Sequence, residues 1–179
     1  EDFKKLKIVD VLKKILSSPN ICNKEWIWQQ YDQTVMGDTI QKPGTDSGVV
    51  RIHSTNKAVA TSVDSSAVYC HAHPQTGGKQ IVCENWRNLI SAGSKPIAIT
   101  NCLNFGNPEK EKNMGEFVEC VQGINEASKF LDYPVVSGNV SFYNETQKKA
   151  ISPTPTIGGA GLIKNLNNMM TKDLKDIGS

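Results

Sequence analysis

Two short runs of this chain hold residues able to bind a phosphate or a metal-bound phosphate. One is Asn101-Cys-Leu-Asn-Phe-Gly-Asn-Pro108; the other is Ser137-Gly-Asn-Val-Ser141. In the second, Gly138 lets a backbone approach a phosphate closely. Asn139 offers an amide oxygen to Mg²⁺, and Ser141 offers a hydroxyl to an anionic ligand. The same Gly-Asn pair also suits a plain turn, because both residues tolerate positive φ. In the first run, Asn101, Asn104 and Asn107 have the groups to hydrogen-bond a nucleotide or to cap a following helix. On residue types alone, both readings of each run stand.

Both runs end apolar stretches. Ile97–Thr100 and Val135-Val136 read as buried strands that deliver polar groups to a sheet edge. Between them, about Asn113 to Asp132 has helical spacing, with Phe117, Val121, Ile124 and Leu131 on one face. The unit is a strand–helix–strand whose two tips emerge together, where α/β sheets place ligands. Gly115 and Gly123 inside this helix cost about 1 kcal/mol each relative to Ala, which suggests close packing.

The remaining elements build a frame for that unit. Residues 3–17 are helical in pattern, and a second short helix starts at Asn23 and runs through Trp26, Ile27 and Tyr31. Thr34–Ile40 suits a short edge strand. Gly48–His53 and Lys57–Val63 suit a hairpin across Ser54-Thr-Asn56. The stretch Cys70-His-Ala-His-Pro-Gln-Thr-Gly-Gly78 reads as a loop. It leads into a helix with Ile81, Val82, Trp86, Leu89 and Ile90, closed by Gly93. Thr154–Ile163 is the last strand, its glycines permitting close backbone approach. Strands and helices in this alternation predict an α/β domain of the two-layer α+β kind, a mixed sheet with helices on one face.

Other groups invite chemistry and yield to plainer readings. Gly77-Gly78-Lys79 resembles a phosphate loop, but Gln80 stands where that pattern needs Ser or Thr, so a helix start is expected. Cys70, His71 and His73 suggest a metal cluster, yet no further ligand is recognisable nearby and a metal-free loop is expected. The five cysteines include no C-x-x-C pair and fit reduced thiols in a cytoplasmic protein. A net charge of +2 gives no nucleic-acid footprint, and no apolar run reaches the roughly 20 residues of a membrane span. No secretory signal opens the chain. Glu1 in place of an initiator methionine, and the stop at Ile177-Gly-Ser179, read as a piece of a longer protein.

The combination is more specific than its parts. Ala98-Ile-Thr-Asn-Cys-Leu-Asn-Phe-Gly-Asn-Pro-Glu-Lys110, Pro134-Val-Val-Ser-Gly-Asn-Val-Ser-Phe-Tyr-Asn-Glu145 and Ile151-Ser-Pro-Thr-Pro-Thr-Ile-Gly158 together resemble the phosphoribosylformylglycinamidine synthase family. Tyr31-Asp-Gln-Thr-Val35, Pro43-Gly44 and the run from Pro74 to Lys79 add to the likeness. It covers roughly residues 24–165.

The resemblance implies an aminoimidazole-ribonucleotide-synthetase-like N-terminal domain with a four-stranded mixed sheet, taken from the second half of a two-half enzyme. Residues 1–23 would be a helical linker, 24–165 the domain, and 166–179 the start of a linker to a further domain. The implied chemistry is ATP-dependent amidation of formylglycinamide ribonucleotide, with ammonia derived from glutamine. Carried over, Asn101 and Gly138 would contact ATP, Asn139 would ligate Mg²⁺, and Ser141 would contact the substrate.

At the position of Asn101 the family usually has Asp, so this chain puts a neutral amide where a carboxylate is customary. No catalytic residue is implied within this chain, and its isolated activity is expected to be nil. The implied partners are the first half of the same enzyme, through the exposed sheet, and a glutaminase subunit or domain. Alone, the uncovered sheet is expected to self-associate. The alternative is a non-catalytic pairing scaffold with degenerate nucleotide contacts.

Overall fold

The computed structural model describes residues 7–173, so the predicted helix start at residues 3–6 and the tail beyond 173 lie outside it. Two compact units divide at Gln33/Thr34. In the first, α1 (Ile8–Leu16) is followed by a turn closed by Cys22 N–H donating to Ser18 O at 2.8 Å. Helix α2 (Glu25–Trp28) is one turn long and stops short of Tyr31; Asn23 Oδ1 accepts from Glu25 N–H at 2.9 Å at its start.

The second unit is a sheet with helices on one face. Its strands are β1 (Thr39–Gln41), β2 (Gly48–Ile52), β3 (Lys57–Ser65), β4 (Lys95–Asn104) and β5 (Val135–Ser141), followed by the short β6 (Glu145–Thr146) and β7 (Lys149–Ala150), and then β8 (Thr154–Ile163). The main sheet runs β1-β2-β3-β8-β4-β5, while β6 and β7 form a separate hairpin. That makes six strands where the resemblance implies four. The two outermost, β1 and β5, extend the sheet at either edge, each through a ladder with one irregularity in its register. The predicted edge strand at 34–40 begins instead as a 3-10 turn (Val35–Gly37), and only Thr39–Gln41 joins the ladder.

Alternation along β8 shows the two faces. Pro155, Ile157, Gly159, Gly161 and Ile163 are buried, and the residues between them are half-buried. The buried set faces helices α3 (Ala67–Ala72), α4 (Pro74–Ser91) and α5 (Glu111–Phe130). On the other face, Val50 and Val63 are exposed, and no helix of residues 34–173 covers it.

The expected loop at residues 70–78 is helical instead. Its Cys70-His-Ala segment ends α3, His73 is the break, and Pro74 occupies the first position of α4, where a missing N–H costs nothing. Gly77 and Gly78 are buried in the first turn of α4. A Cβ on Gly78 would lie 2.4 Å from Cys120 O, and one on Gly123 would lie 2.0 Å from Gln75 O. These glycines let α4 and α5 touch backbone to backbone, which supports the helix-start reading of Gly77-Gly78-Lys79. Lys79 itself pairs with Glu126 at 2.5 Å. Gly115, in contrast, has nothing within 4 Å of its would-be Cβ, so only Gly123 answers the packing expectation.

A polar chain crosses this core. Tyr133, fully buried, donates its hydroxyl to Asn85 Oδ1 at 2.7 Å; Asn85 Nδ2 donates to Asp64 Oδ2 at 2.8 Å and Ser62 O at 3.0 Å. Burial, and secondarily the Asp64 charge, push the Tyr133 phenol up. Gly159 makes room for the chain: a Cβ there would lie 1.9 Å from Asn85 Oδ1 and 2.0 Å from the Tyr133 hydroxyl.

Candidate functional site

The strand–helix–strand unit is present as β4–α5–β5, and β4 pairs with β5 in parallel. The register puts Asn101 beside Gly138, Cys102 beside Asn139, and Asn104 beside Ser141. The polar tips therefore meet, as their sequence pattern predicts.

The junction is held by Asn144. Its Nδ2 donates to Phe105 O at 3.0 Å and to Ser141 O at 2.9 Å, while its backbone N–H donates to Phe105 O at 3.2 Å. Phe105 N–H returns a bond to Ser141 O at 3.0 Å. Beneath the tips, Phe105, Phe117 and Phe142 stack edge to face, with centroids 5.2 and 5.1 Å apart. Edge-to-face geometry adds to their burial and fixes the tips against α5.

The four predicted site residues fall on opposite faces of the sheet. Asn101 and Gly138 face the helix layer; a Cβ on Gly138 would sit 2.0 Å from Asn101 Oδ1. Asn139 and Ser141, each an odd number of residues from Gly138, face the open side. There Ser141 Oγ lies 3.1 Å from Asn144 Nδ2. Neighbouring Ser137 Oγ donates to Thr100 Oγ1 at 2.8 Å on the same face. The amides of Asn101 and Asn139 have no hydrogen-bond partner among the described residues, so both are available to a ligand.

The other asparagines of the first run have structural work. Asn104 Nδ2 donates to Cys102 O and Thr154 O, both at 3.3 Å, and Asn107 Oδ1 accepts from Glu109 N–H at 2.8 Å. None caps α5, which starts at Glu111; Lys110 stands at the capping position and makes no side-chain cap.

Asn101 opens onto a groove of about 710 Å³ between α5 and the start of β5. Its walls combine the amides of Gln122 and Asn125 with Val121, Ile124 and Val135. Sequence reasoning missed the polar members. The available signal was a stripe of polar residues at helical spacing (Gln122, Asn125, Ser128) beside the apolar face that was read.

Elsewhere, the histidines lie apart in role. His73 Nδ1 accepts from Thr76 N–H at the head of α4, and His71 lies 3.7 Å from Glu116. Cys70 and Cys120 are buried and free; the neighbouring Cys70 thiol, and then burial, push the Cys120 thiol up. Among the described residues no three His, Cys, Asp or Glu side chains form a metal-holding group, and no helix is long and apolar enough to cross a membrane.

A mixed sheet covered on one face by helices, with ligand-ready amides at a parallel strand pair, defines a recognisable class. The chain belongs to the AIR synthase related protein family, whose N-terminal domain matches residues 44–163. Among individual proteins it is 75% identical over 176 residues to the phosphoribosylformylglycinamidine synthase subunit PurL of Pelagibacter ubique (strain HTCC1062). That match takes in 98% of this chain and 24% of the relative.

Among solved structures, PurLQS from Thermotoga maritima superposes with a TM-score of 0.78 at 31% identity, over 85% of this chain and 25% of that one. T. maritima PurL complexed with ATP gives 0.71 at 33% identity, over 82% and 24%. The complex with FGAR gives 0.74 at 31%, over 85% and 25%. The resemblance read from the two polar runs is thereby confirmed. The chain spans about a quarter of the length of these relatives.

Proposed function

We propose that this chain forms one wall of the nucleotide and substrate site of an ATP-dependent amidating ligase. That enzyme would convert formylglycinamide ribonucleotide to its amidine with glutamine-derived ammonia, in the cytoplasm. The observation that supports this best is the pairing of Asn101 with Gly138 at the rim of the groove. Asn139 and Ser141 follow immediately on the other face.

Because β5 is the edge of the sheet, the two faces communicate around that edge. A nucleotide seated in the groove beside Asn101 passes the backbone of Gly138, whose missing side chain leaves room for the Asn101 amide, and reaches Asn139 and Ser141 beyond. The resolved ATP and FGAR complexes of T. maritima PurL support this assignment of ligands.

The donor set fits Mg²⁺ only as part of a shared shell. Asn139 supplies one neutral oxygen, and Mg²⁺ is ordinarily held by one or two carboxylates together with substrate phosphates. When bound, the ion neutralises charge on the transferring phosphoryl group. Asn139 would orient it, Gly138 would seat the Asn101 amide beside the nucleotide, and Ser141, aligned by Asn144, would donate to the substrate. Acid–base groups for the amidation come from the remaining three-quarters of the enzyme, including its first half, which would also cover the open sheet face. A glutaminase subunit or domain would deliver the ammonia.

Calorimetric titration of Mg·ATP tests the reading. Asn139→Ala should weaken binding about 10-fold or more, on the scale of a lost ligand to a charged group, and unchanged affinity would overturn it. ADP release by the chain with ATP, FGAR and ammonia should be absent; turnover would show that the catalytic groups lie within these residues. The neutral Asn101 favours a second reading, a pairing scaffold with degenerate contacts, which predicts no nucleotide binding at all.

A further inference from the structure

We infer that Ser128 reads the nucleobase in the groove beside Asn101, an assignment that rests on the groove being the nucleotide site. Ser128 is 7% exposed, and its hydroxyl is buried without a hydrogen-bond partner among the described residues. A serine inside a helix ordinarily bonds the carbonyl one turn back; here that bond is not made. Buried hydroxyls are nearly always paired, and an unpaired one is costly. Ser128 lines the groove, so rotation about its Cα–Cβ bond can offer the hydroxyl to a ligand lodged there.

The groove's chemistry selects the part of the ligand. Val121, Gln122, Asn125 and Ser128 recur at helical spacing on the face of α5 turned toward Asn101 and Val135. Neutral amides and a hydroxyl between aliphatic walls suit a planar heterocycle with donors and acceptors on its edge. They suit a phosphate poorly, because the one cation at the mouth, Lys129, is accompanied by Asp132. A purine fits: its faces lie against Val121 and Val135, and its edge meets Ser128 and the amides. The triphosphate then leaves past Gly138.

Binding of ATP, adenosine and inorganic tripolyphosphate by the 179-residue chain separates the possibilities. Ser128→Ala should weaken ATP and adenosine about 3- to 10-fold, the range of a single hydrogen bond. Tripolyphosphate should bind as before, and the melting temperature should hold or rise, since a buried unpaired group is removed. Val121→Trp, which fills the groove, should abolish adenosine binding.

Unchanged ATP affinity in both variants, with ATP binding still sensitive to Asn139→Ala, would overturn the role of Ser128 and leave the nucleotide site standing. Equal weakening of tripolyphosphate by Ser128→Ala would also overturn it. A wild-type chain that binds none of the three probes would overturn both.

Discussion

Replacing Tyr133 with Phe removes one oxygen from the best-sealed polar contact of the domain. Tyr133 is fully buried, and its hydroxyl satisfies Asn85 Oδ1 at 2.7 Å. Asn85 is itself completely buried and already commits its Nδ2 to Asp64 and Ser62. In the Phe variant, Asn85 Oδ1 is left without a donor. The space vacated by one oxygen is too small for a water, and Gly159 closes the other side. The cost is that of an orphaned buried acceptor, about 1–3 kcal/mol. For a chain of this size it corresponds to a fall in melting temperature of roughly 2–12 °C.

Urea denaturation should show a lower midpoint with unchanged slope, since no new surface is exposed. The pH dependence adds a second signature. The unfolded chain ionises the phenol near its ordinary value of about 10, whereas burial holds the folded phenol protonated to higher pH. Above pH 10 the unfolded state therefore binds fewer protons, and wild-type stability falls as pH rises. Tyr133→Phe should lose that alkaline slope. A variant as stable as wild type at pH 7, or one with the same alkaline slope, would refute the reasoning.

Two further outcomes follow from the packing. Gly159→Ala would drive a methyl to within 2 Å of both Asn85 Oδ1 and the Tyr133 hydroxyl. It should cost about 3 kcal/mol or more by urea unfolding, above the usual range for overpacking, because two polar partners are displaced at once. The Glu126 carboxyl is held below its ordinary value by Lys79, and then by Gln75. Its support for the α4–α5 contact is present above the ordinary pH of about 4.5 and is lost as pH falls through the lowered folded value. Glu126→Gln should flatten the acid limb of a melting-temperature profile between pH 3 and 6, and an unchanged limb would count against that pair.

Much of the architecture was legible because periodicity follows burial. Thr154–Ile163 reads as a strand, and its alternating burial explains why. The helix between the polar runs was placed within two residues at each end, because Phe117 and Ile124 must face the core. What failed depended on contacts between distant residues. Cys70-His-Ala-His looks like a loop, yet its first three residues are held helical by packing of Cys70 against Gly77. The polar residues of the runs were visible as chemistry, but their division between two faces needs the β4–β5 register. Ser128 belongs to a polar stripe that the sequence shows, but its burial without a partner, which singles it out, is visible only in the structure.

Strand β5 ends the sheet, so half of its peptide N–H and C=O groups point outward, past the last ladder. Such groups donate and accept without any side chain, and an alanine scan deletes none of them. Side-chain mutagenesis along residues 135–141 will therefore undercount what this strand contributes to a ligand passing its rim. Proline, which removes an N–H, is the substitution that reaches the missing part.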